Sequence, residues 1–146
     1  MNKVRFIYES DDYEVRREII ATKICEFLRN HLDLPEEIQI VFAKLPMSEY
    51  GETIVNPRFK NRIKINNILN YKEISQVLIH ELIHLQQIKT GQLSNTSNGL
   101  YIWNKRIFNI LENTDYDSLP WEQDVVNIQH SLFPKLSEYL LTTLKI

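Results

Sequence analysis

The sequence predicts a small α+β fold, made of three helices and several short strands in a single domain spanning residues 1–146. Apolar residues recur at helical spacing in three segments, and short β-branched segments lie between the first two. The resulting order of helix, strands, helix, hairpin and helix is typical of helices packed on a small mixed or antiparallel sheet. A length of 146 residues is enough for one ordinary domain with a buried core.

The N-terminal half begins with a predicted helix and continues with predicted strands. The helix is YEVRREIIATKICEFLRNHL, with N-cap oxygens expected from the polar residues 10–12. Strands are predicted at residues 38–45, 52–55 and 62–65, because these segments are short, rich in β-branched residues and bounded by turn-forming residues. The single cysteine, Cys25, lies among apolar residues of the helix and is expected to be a buried, inert thiol.

The central segment NYKEISQVLIHELIHLQQIKTG predicts the second helix. Asn70 and Glu73 match a capping box at its start, and Gly91 supplies the residue that ends it. Its apolar residues cover more than one face, so we expect this helix to run through the core.

The C-terminal half is predicted to contain a loop, a hairpin and a last helix. QLSNTSNG is a polar loop, and GLYIWNKRIFNI is a candidate hairpin turning at Asn104 and Lys105. The last helix begins near Pro120, and Pro134 is expected to break or kink it.

Composition and charge exclude several classes of partner. The chain has 17 basic and 19 acidic residues and a net charge of −2, which gives no electrostatic footprint for nucleic acid or an anionic membrane. No segment approaches the roughly 20 apolar residues of a membrane span, and the first residues lack the apolar stretch of a secretory signal. We therefore expect a cytoplasmic protein without nucleic-acid or membrane partners.

The sequence HELIH, with His80, Glu81 and His84, is the HExxH pattern within the predicted second helix. Residues at i and i+4 lie one helical turn apart, so two imidazole nitrogens can converge on one ion. Zn²⁺ accepts such nitrogens and activates water, and Glu81 is placed to act as the general base. Two histidines that reached this register by chance on a buried helix would be costly to bury without a metal or polar partners.

A tetrahedral site requires a third protein ligand, and LQQIKTGQLS after His84 contains no further histidine. The best candidates are Glu122 and Asp124, in the first turns of the last helix. They lie about 200° apart around a helix, so both cannot easily face one ion. The alternative is that both are simply acidic residues favourably placed at a helix N-terminus.

HELIH, the hairpin with Trp103 and the helix that begins with PWE occur in this order over about residues 71–129. In these features the chain resembles the minigluzincin-type and phage-associated small metallopeptidases. The resemblance implies a zincin-like domain of gluzincin type, in which Glu122 is the third zinc ligand. It also implies that the strand at residues 62–65 forms the wall of the cleft and pairs with an extended peptide. Val125 departs from the small alanine usual in that family.

The predicted function is that of a zinc metallopeptidase acting on a peptide or protein substrate, with zinc held by His80, His84 and Glu122 and with Glu81 as base. The alternative is a non-catalytic, metal-bound interaction or regulatory protein on the same scaffold. A third possibility is a helical protein without metal. His31 and His130 are expected to be structural or solvent-facing. The candidate donors to a developing oxyanion are Tyr50, Tyr101 and Tyr116.

Overall fold

The structure is a computed structural model that describes residues 3–9, 14–54, 61–95, 100–110 and 115–144. Within these residues the chain forms three α-helices and seven strands, as the predicted α+β class requires. The helices are α1 (Val15–Arg29), α2 (Tyr71–Lys89) and α3 (Pro120–Leu144), and a short 3₁₀ helix, Tyr116–Ser118, precedes α3.

The first sheet is mixed and has four strands: β1 (Lys3–Tyr8), β2 (Glu37–Ala43), β3 (Gly51–Ile54) and β4 (Arg62–Asn66). Their order is β1-β2-β4-β3. β1, β2 and β4 are parallel, whereas β3 is antiparallel to β4 and lies at the edge. The predicted strands are confirmed with boundaries shifted by up to two residues, and residue 55 lies outside the described residues. β1 was not predicted, because only its pairing with β2 distinguishes so short a terminal segment from an extended tail.

The second sheet is antiparallel and consists of β5 (Leu93–Asn95), β6 (Tyr101–Trp103) and β7 (Arg106–Phe108). The predicted hairpin is confirmed, since Asn104 and Lys105 take φ values of 48° and 70° between β6 and β7. The prediction of a loop throughout QLSNTSNG was wrong at its start. Residues 93–95 pair with β6, a partner that this short polar segment does not reveal by itself.

α2 lies in the centre of the main core. Asn70 and Glu73 form the predicted capping box, and Gly91 takes the left-handed φ of 80° just beyond the helix. The core also includes the alternating β2 residues Ile38, Ile40 and Phe42. One face of the first sheet therefore packs against the helices. Apolar residues on several sides of α2 are fully buried, as expected for a central helix: Ile74, Leu78, Ile79, Leu82, Ile83 and Leu85.

α1 packs against both α2 and α3. It begins at Val15 with Glu14 as its N-cap, and Glu14 makes no capping hydrogen bond through its side chain. Residues 10–12, which were expected to supply the cap, lie outside the described residues, and the helix ends earlier than expected, at Arg29. Cys25 is 1% exposed and its burial raises the pKa of the thiol to about 12, which confirms the buried cysteine.

α3 is continuous over 25 residues, so the expected break at Pro134 does not occur. Pro134 lies on an exposed face of α3. Because proline has no N–H to donate, the carbonyl group of His130 loses its helical hydrogen bond and can bind water instead. Leu132 and Leu136 are buried on the other side and hold the helix on the core. None of the described helices is both long enough and apolar enough to cross a membrane.

The capping box of α2 gives a test of the fold. We expect Asn70→Ala to lower the free energy of unfolding by about 1 kcal/mol, because the Glu73 N–H loses its acceptor. Urea denaturation measures this change. Lys72→Ala, at an exposed position in the same turn, is the matched control and should change stability by less than about 0.5 kcal/mol. Equal losses in the two variants would contradict the capping role.

Candidate metal centre

Three of the predicted site residues converge at the contact between α2 and α3. His80, His84 and Glu122 each present one possible ligand atom, and these atoms all lie within 4.8 Å of one another. His80 Nε2 is 3.2 Å from Glu122 Oε2, and His84 Nε2 is 2.8 Å from Glu122 Oε1. The spacing of one turn along α2 puts both imidazoles on one side of the helix, where α3 brings the carboxylate to them.

The burial of this group indicates what it can hold. The side chain of Glu122 is 4% exposed and that of His84 is 9% exposed. Although His84 Nε2 and Glu122 Oε1 are close, neither buried atom has a partner with hydrogen-bond geometry among the described residues. Two buried lone-pair atoms that approach each other in this way are suited to a shared cation. Two nitrogens and one carboxylate oxygen form a donor set that fits Zn²⁺.

The electrostatics of the group favour an ionised carboxylate. Burial by itself raises the pKa of Glu122, but the contacts with His80, His84 and Tyr116 together outweigh it and hold the pKa well below its usual range. Burial lowers the pKa of His84, but the interactions with Glu122, Glu81 and Gln87 together raise it by more, so that the net shift is upward. The protein thus keeps a buried negative charge here and stabilises positive charge beside it.

The start of α3 is fixed by aromatic packing. The ring of Trp121 stacks on Tyr101 with the centroids 5.2 Å apart and contacts Phe108 edge-on at 5.6 Å. Trp103 lies on the same cluster, 6.5 Å from Trp121. The second sheet therefore anchors the residue directly before Glu122, which explains why the PWE sequence and the hairpin belong to one site.

Asp124 does not join the group, although it was the second candidate for the third ligand. Its carboxylate accepts a hydrogen bond of 2.9 Å from Nε2 of Gln87, which also donates to the carbonyl of Trp121 at 3.0 Å. Oε1 of the same amide is 2.8 Å from His84 Nδ1. Gln87 was not predicted as part of the site, although its position three residues after His84, on the same side of the helix, was an available signal.

Glu81 lies beside the histidines but outside the group of three ligand atoms. The residue is 7% exposed, and Thr53 Oγ1 on β3 lies 3.2 Å from its Oε1 and 3.1 Å from its backbone carbonyl oxygen. Burial raises the pKa of Glu81, and the nearby His84 and His80 only partly offset this effect. Such a carboxyl group can exchange a proton nearer to neutral pH than an exposed glutamate can.

A cleft of about 740 Å³ opens beside the group. This volume lies in the usual range for ligand sites. β3, the edge strand, lines one side of the cleft, while β4 is paired on both edges by β2 and β3. The expectation that residues 62–65 pair with a substrate was therefore wrong. Apolar and aromatic residues line the cleft elsewhere: Ile88, Leu93, Tyr101, Ile110, Tyr116 and Trp121.

The other predicted residues differ in their relation to the cleft. Tyr101 and Tyr116 line it, whereas Tyr50 is 59% exposed and is not among its lining residues. Burial and the interaction with Glu122 raise the pKa of Tyr116 above its usual value. The ring of His31 is tilted against that of Phe27 with the centroids 4.5 Å apart, and His130 is exposed. Neither histidine belongs to the group of three possible ligands.

Comparisons with protein families, with curated proteins and with solved structures find no match for this chain.

The close approach of β3 to α2 gives a test of the site. A Cβ atom at Gly51 would lie 2.5 Å from Val77 Cγ1 and 3.0 Å from the Lys64 carbonyl oxygen. We expect Gly51→Ala to displace β3 or α2 and to lower the free energy of unfolding by about 1 to 3 kcal/mol. Thermal or urea denaturation measures the loss.

The matched control for this test is the double variant Gly51→Ala with Val77→Ala, which removes the nearer clash. The second substitution should restore part of the stability, although Val77→Ala alone lowers it. If the two losses simply add, the contact between β3 and α2 is not the reason for glycine at position 51.

Proposed function

We propose that this protein is a zincin-like, zinc-dependent metallopeptidase. His80, His84 and Glu122 would hold the metal, and Glu81 would act as the general base. The observation that carries the proposal is the convergence of three possible ligand atoms within 4.8 Å. Two of the residues that supply them, His84 and Glu122, line a cleft that Glu81 also lines. A site with three protein ligands leaves one tetrahedral position open, which is the arrangement of catalytic zinc sites; structural sites use four.

The choice of Zn²⁺ follows from the chemistry of the donors. Imidazole nitrogens with a single carboxylate oxygen suit zinc, whereas magnesium and calcium prefer sites made of oxygen ligands. When bound, zinc supplies a Lewis acid that polarises a carbonyl group and makes water acidic enough to react near neutral pH. The ionised Glu122 balances part of the charge of the ion.

Glu81 would move the proton during hydrolysis. Thr53 holds one of its carboxylate oxygens, Oε1, by a hydrogen bond of 3.2 Å, and this leaves Oε2 to accept a proton from the attacking water. The same carboxyl group would then return the proton to the nitrogen of the leaving amine. The raised pKa of Glu81, which results mainly from burial, brings its proton affinity closer to the value that both steps require.

The edge strand β3 supports a peptide as the substrate class. β3 is at the end of its sheet and lines the cleft, so an extended peptide could add to it by backbone hydrogen bonds. Such pairing depends little on sequence. The apolar lining on the other side of the cleft, which includes Ile88, Leu93 and Tyr101, would select bulky apolar side chains.

The alternative remains a metal-bound interaction or regulatory protein without catalytic activity. The buried Glu81 beside the open cleft favours catalysis, because a site that only holds a metal has no use for a base. A cytoplasmic location belongs to the same proposal and stays a prediction.

The metal assignment gives the first functional prediction. We expect about one zinc ion per chain by elemental analysis, and we expect His80→Ala or His84→Ala to abolish stoichiometric binding.

Glu122→Ala should weaken zinc binding and remove hydrolysis, whereas Asp124→Ala should retain zinc with an affinity loss of about 10 to 100-fold. Zinc should raise the melting temperature of the metal-free protein. A protein that neither contains zinc nor is stabilised by added zinc would falsify the proposal.

The proposed role of Glu81 gives the second functional prediction. Glu81→Gln keeps the shape of the side chain but cannot accept a proton, so we expect nearly unchanged zinc content and a complete loss of peptide hydrolysis. Elemental analysis and a peptide-library assay measure the two quantities. Wild-type turnover in this variant would exclude Glu81 as the base. A wild-type protein that binds zinc but hydrolyses no peptide would instead favour the non-catalytic alternative.

A further inference from the structure

The amide side chain of Gln87 lies between the two helices that supply the candidate metal ligands. Gln87 is fully buried, at 0% exposure, and hydrogen-bonds both to His84 on its own helix and to the first turn of α3. We propose that Gln87 is a positioning residue that fixes the tautomer of His84 and the placement of Glu122 together. This inference rests on the proposed function, because it concerns the ability of His84 and Glu122 to bind zinc.

The orientation of the amide follows from its partners on α3. The carbonyl oxygen of Trp121 and a carboxylate oxygen of Asp124 lie 3.0 Å and 2.9 Å from Nε2 of Gln87. Both partners accept hydrogen bonds, and the NH₂ group of an amide has two hydrogens to donate. The reversed orientation would set the amide oxygen against two other oxygens, so Oε1 must point the other way.

The opposite end of the amide then determines the state of His84. Oε1 only accepts hydrogen bonds, and it lies 2.8 Å from His84 Nδ1. Nδ1 must therefore carry the hydrogen, which leaves the lone pair of the neutral imidazole on Nε2. Nε2 is the atom that faces Glu122 at 2.8 Å. Metal-binding histidines generally owe their tautomer and ring orientation to such a partner.

The same amide also positions the third ligand. Its two acceptors, the Trp121 carbonyl and the Asp124 carboxylate, lie on either side of Glu122 in the sequence. By binding both, Gln87 fixes the first turn of α3 against α2 at the height of His84. A single buried side chain therefore links the geometry of a ligand on each helix, and Asp124 acts on the site through Gln87.

Two substitutions separate the effect of Gln87 on the His84 tautomer from its effect on the first turn of α3. Gln87→Met preserves length and burial but removes every hydrogen bond, whereas Gln87→Glu keeps an acceptor for His84 Nδ1 and loses the donor to α3. We expect Gln87→Met to weaken zinc binding by about 10 to 100-fold, measured by competition with a chromophoric chelator. Gln87→Glu should bind zinc more tightly than Gln87→Met, even though its metal-free form melts at no higher temperature.

The matched control is Gln86→Met, the same change at the next residue. The side chain of Gln86 accepts from the Asp33 N–H outside the site, so its loss should leave zinc affinity unchanged. A residue that only packed the helices would lower zinc affinity in step with the melting temperature. Wild-type zinc affinity in Gln87→Met, or weaker binding in Gln87→Glu than in Gln87→Met, would overturn the inference while leaving the proposed function intact.

A double-mutant cycle tests the link to Asp124 and does not rely on either Gln87 variant alone. If Asp124 acts through Gln87, Asp124→Ala should weaken zinc binding in the wild-type background and cause no further loss in the Gln87→Met background. Additive losses would overturn the link. Absence of zinc binding by the wild-type protein would overturn the proposed function and this inference with it.

Discussion

The contact between the first turn of α3 and the middle of α2 is the interaction on which the site depends. It brings Glu122 to within 3.2 Å of His80 and 2.8 Å of His84, although the carboxylate and the imidazoles are far apart in the sequence. Two kinds of force hold this contact. The aromatic cluster around Trp121 anchors the start of α3 to the second sheet, and the amide of Gln87 ties the same turn to α2. The aromatic packing is apolar and depends little on orientation, whereas the hydrogen bonds of the amide are directional.

Burial of the Glu122 carboxylate at this contact carries an electrostatic cost. The side chain of Glu122 is only 4% exposed, and an ionised carboxylate buried to this extent is unfavourable unless positive charge compensates for it. Two imidazoles supply part of the compensation when protonated, and a divalent cation would supply more while using the lone pairs that have no hydrogen-bond partner. The second sheet contributes packing and one wall of the cleft, so the same residues stabilise α3 and border the space beside the possible ligands.

The edge strand β3 links the cleft to Glu81. Thr53 on this strand hydrogen-bonds to the Glu81 carboxylate, and Gly51 allows the strand to lie close to α2. A ligand that paired with β3 would therefore contact the same strand that orients the proposed base. The carboxyl group of Glu81, beside the three possible ligands, therefore borders an open cleft, as the proposed catalytic role requires.

Patterns within one helix were determined by the sequence alone. The spacing of HELIH places His80 and His84 on one side of α2, and the capping box and Gly91 define its ends, because these features depend on local geometry. Only the tertiary structure decided what depends on distant partners. The strands β1 and β5 exist through their pairing, and Pro134 is accommodated because it faces solvent. The choice of Glu122 over Asp124 to meet the histidines, and the role of Gln87 between them, follow from how α3 docks on α2, which no local periodicity encodes.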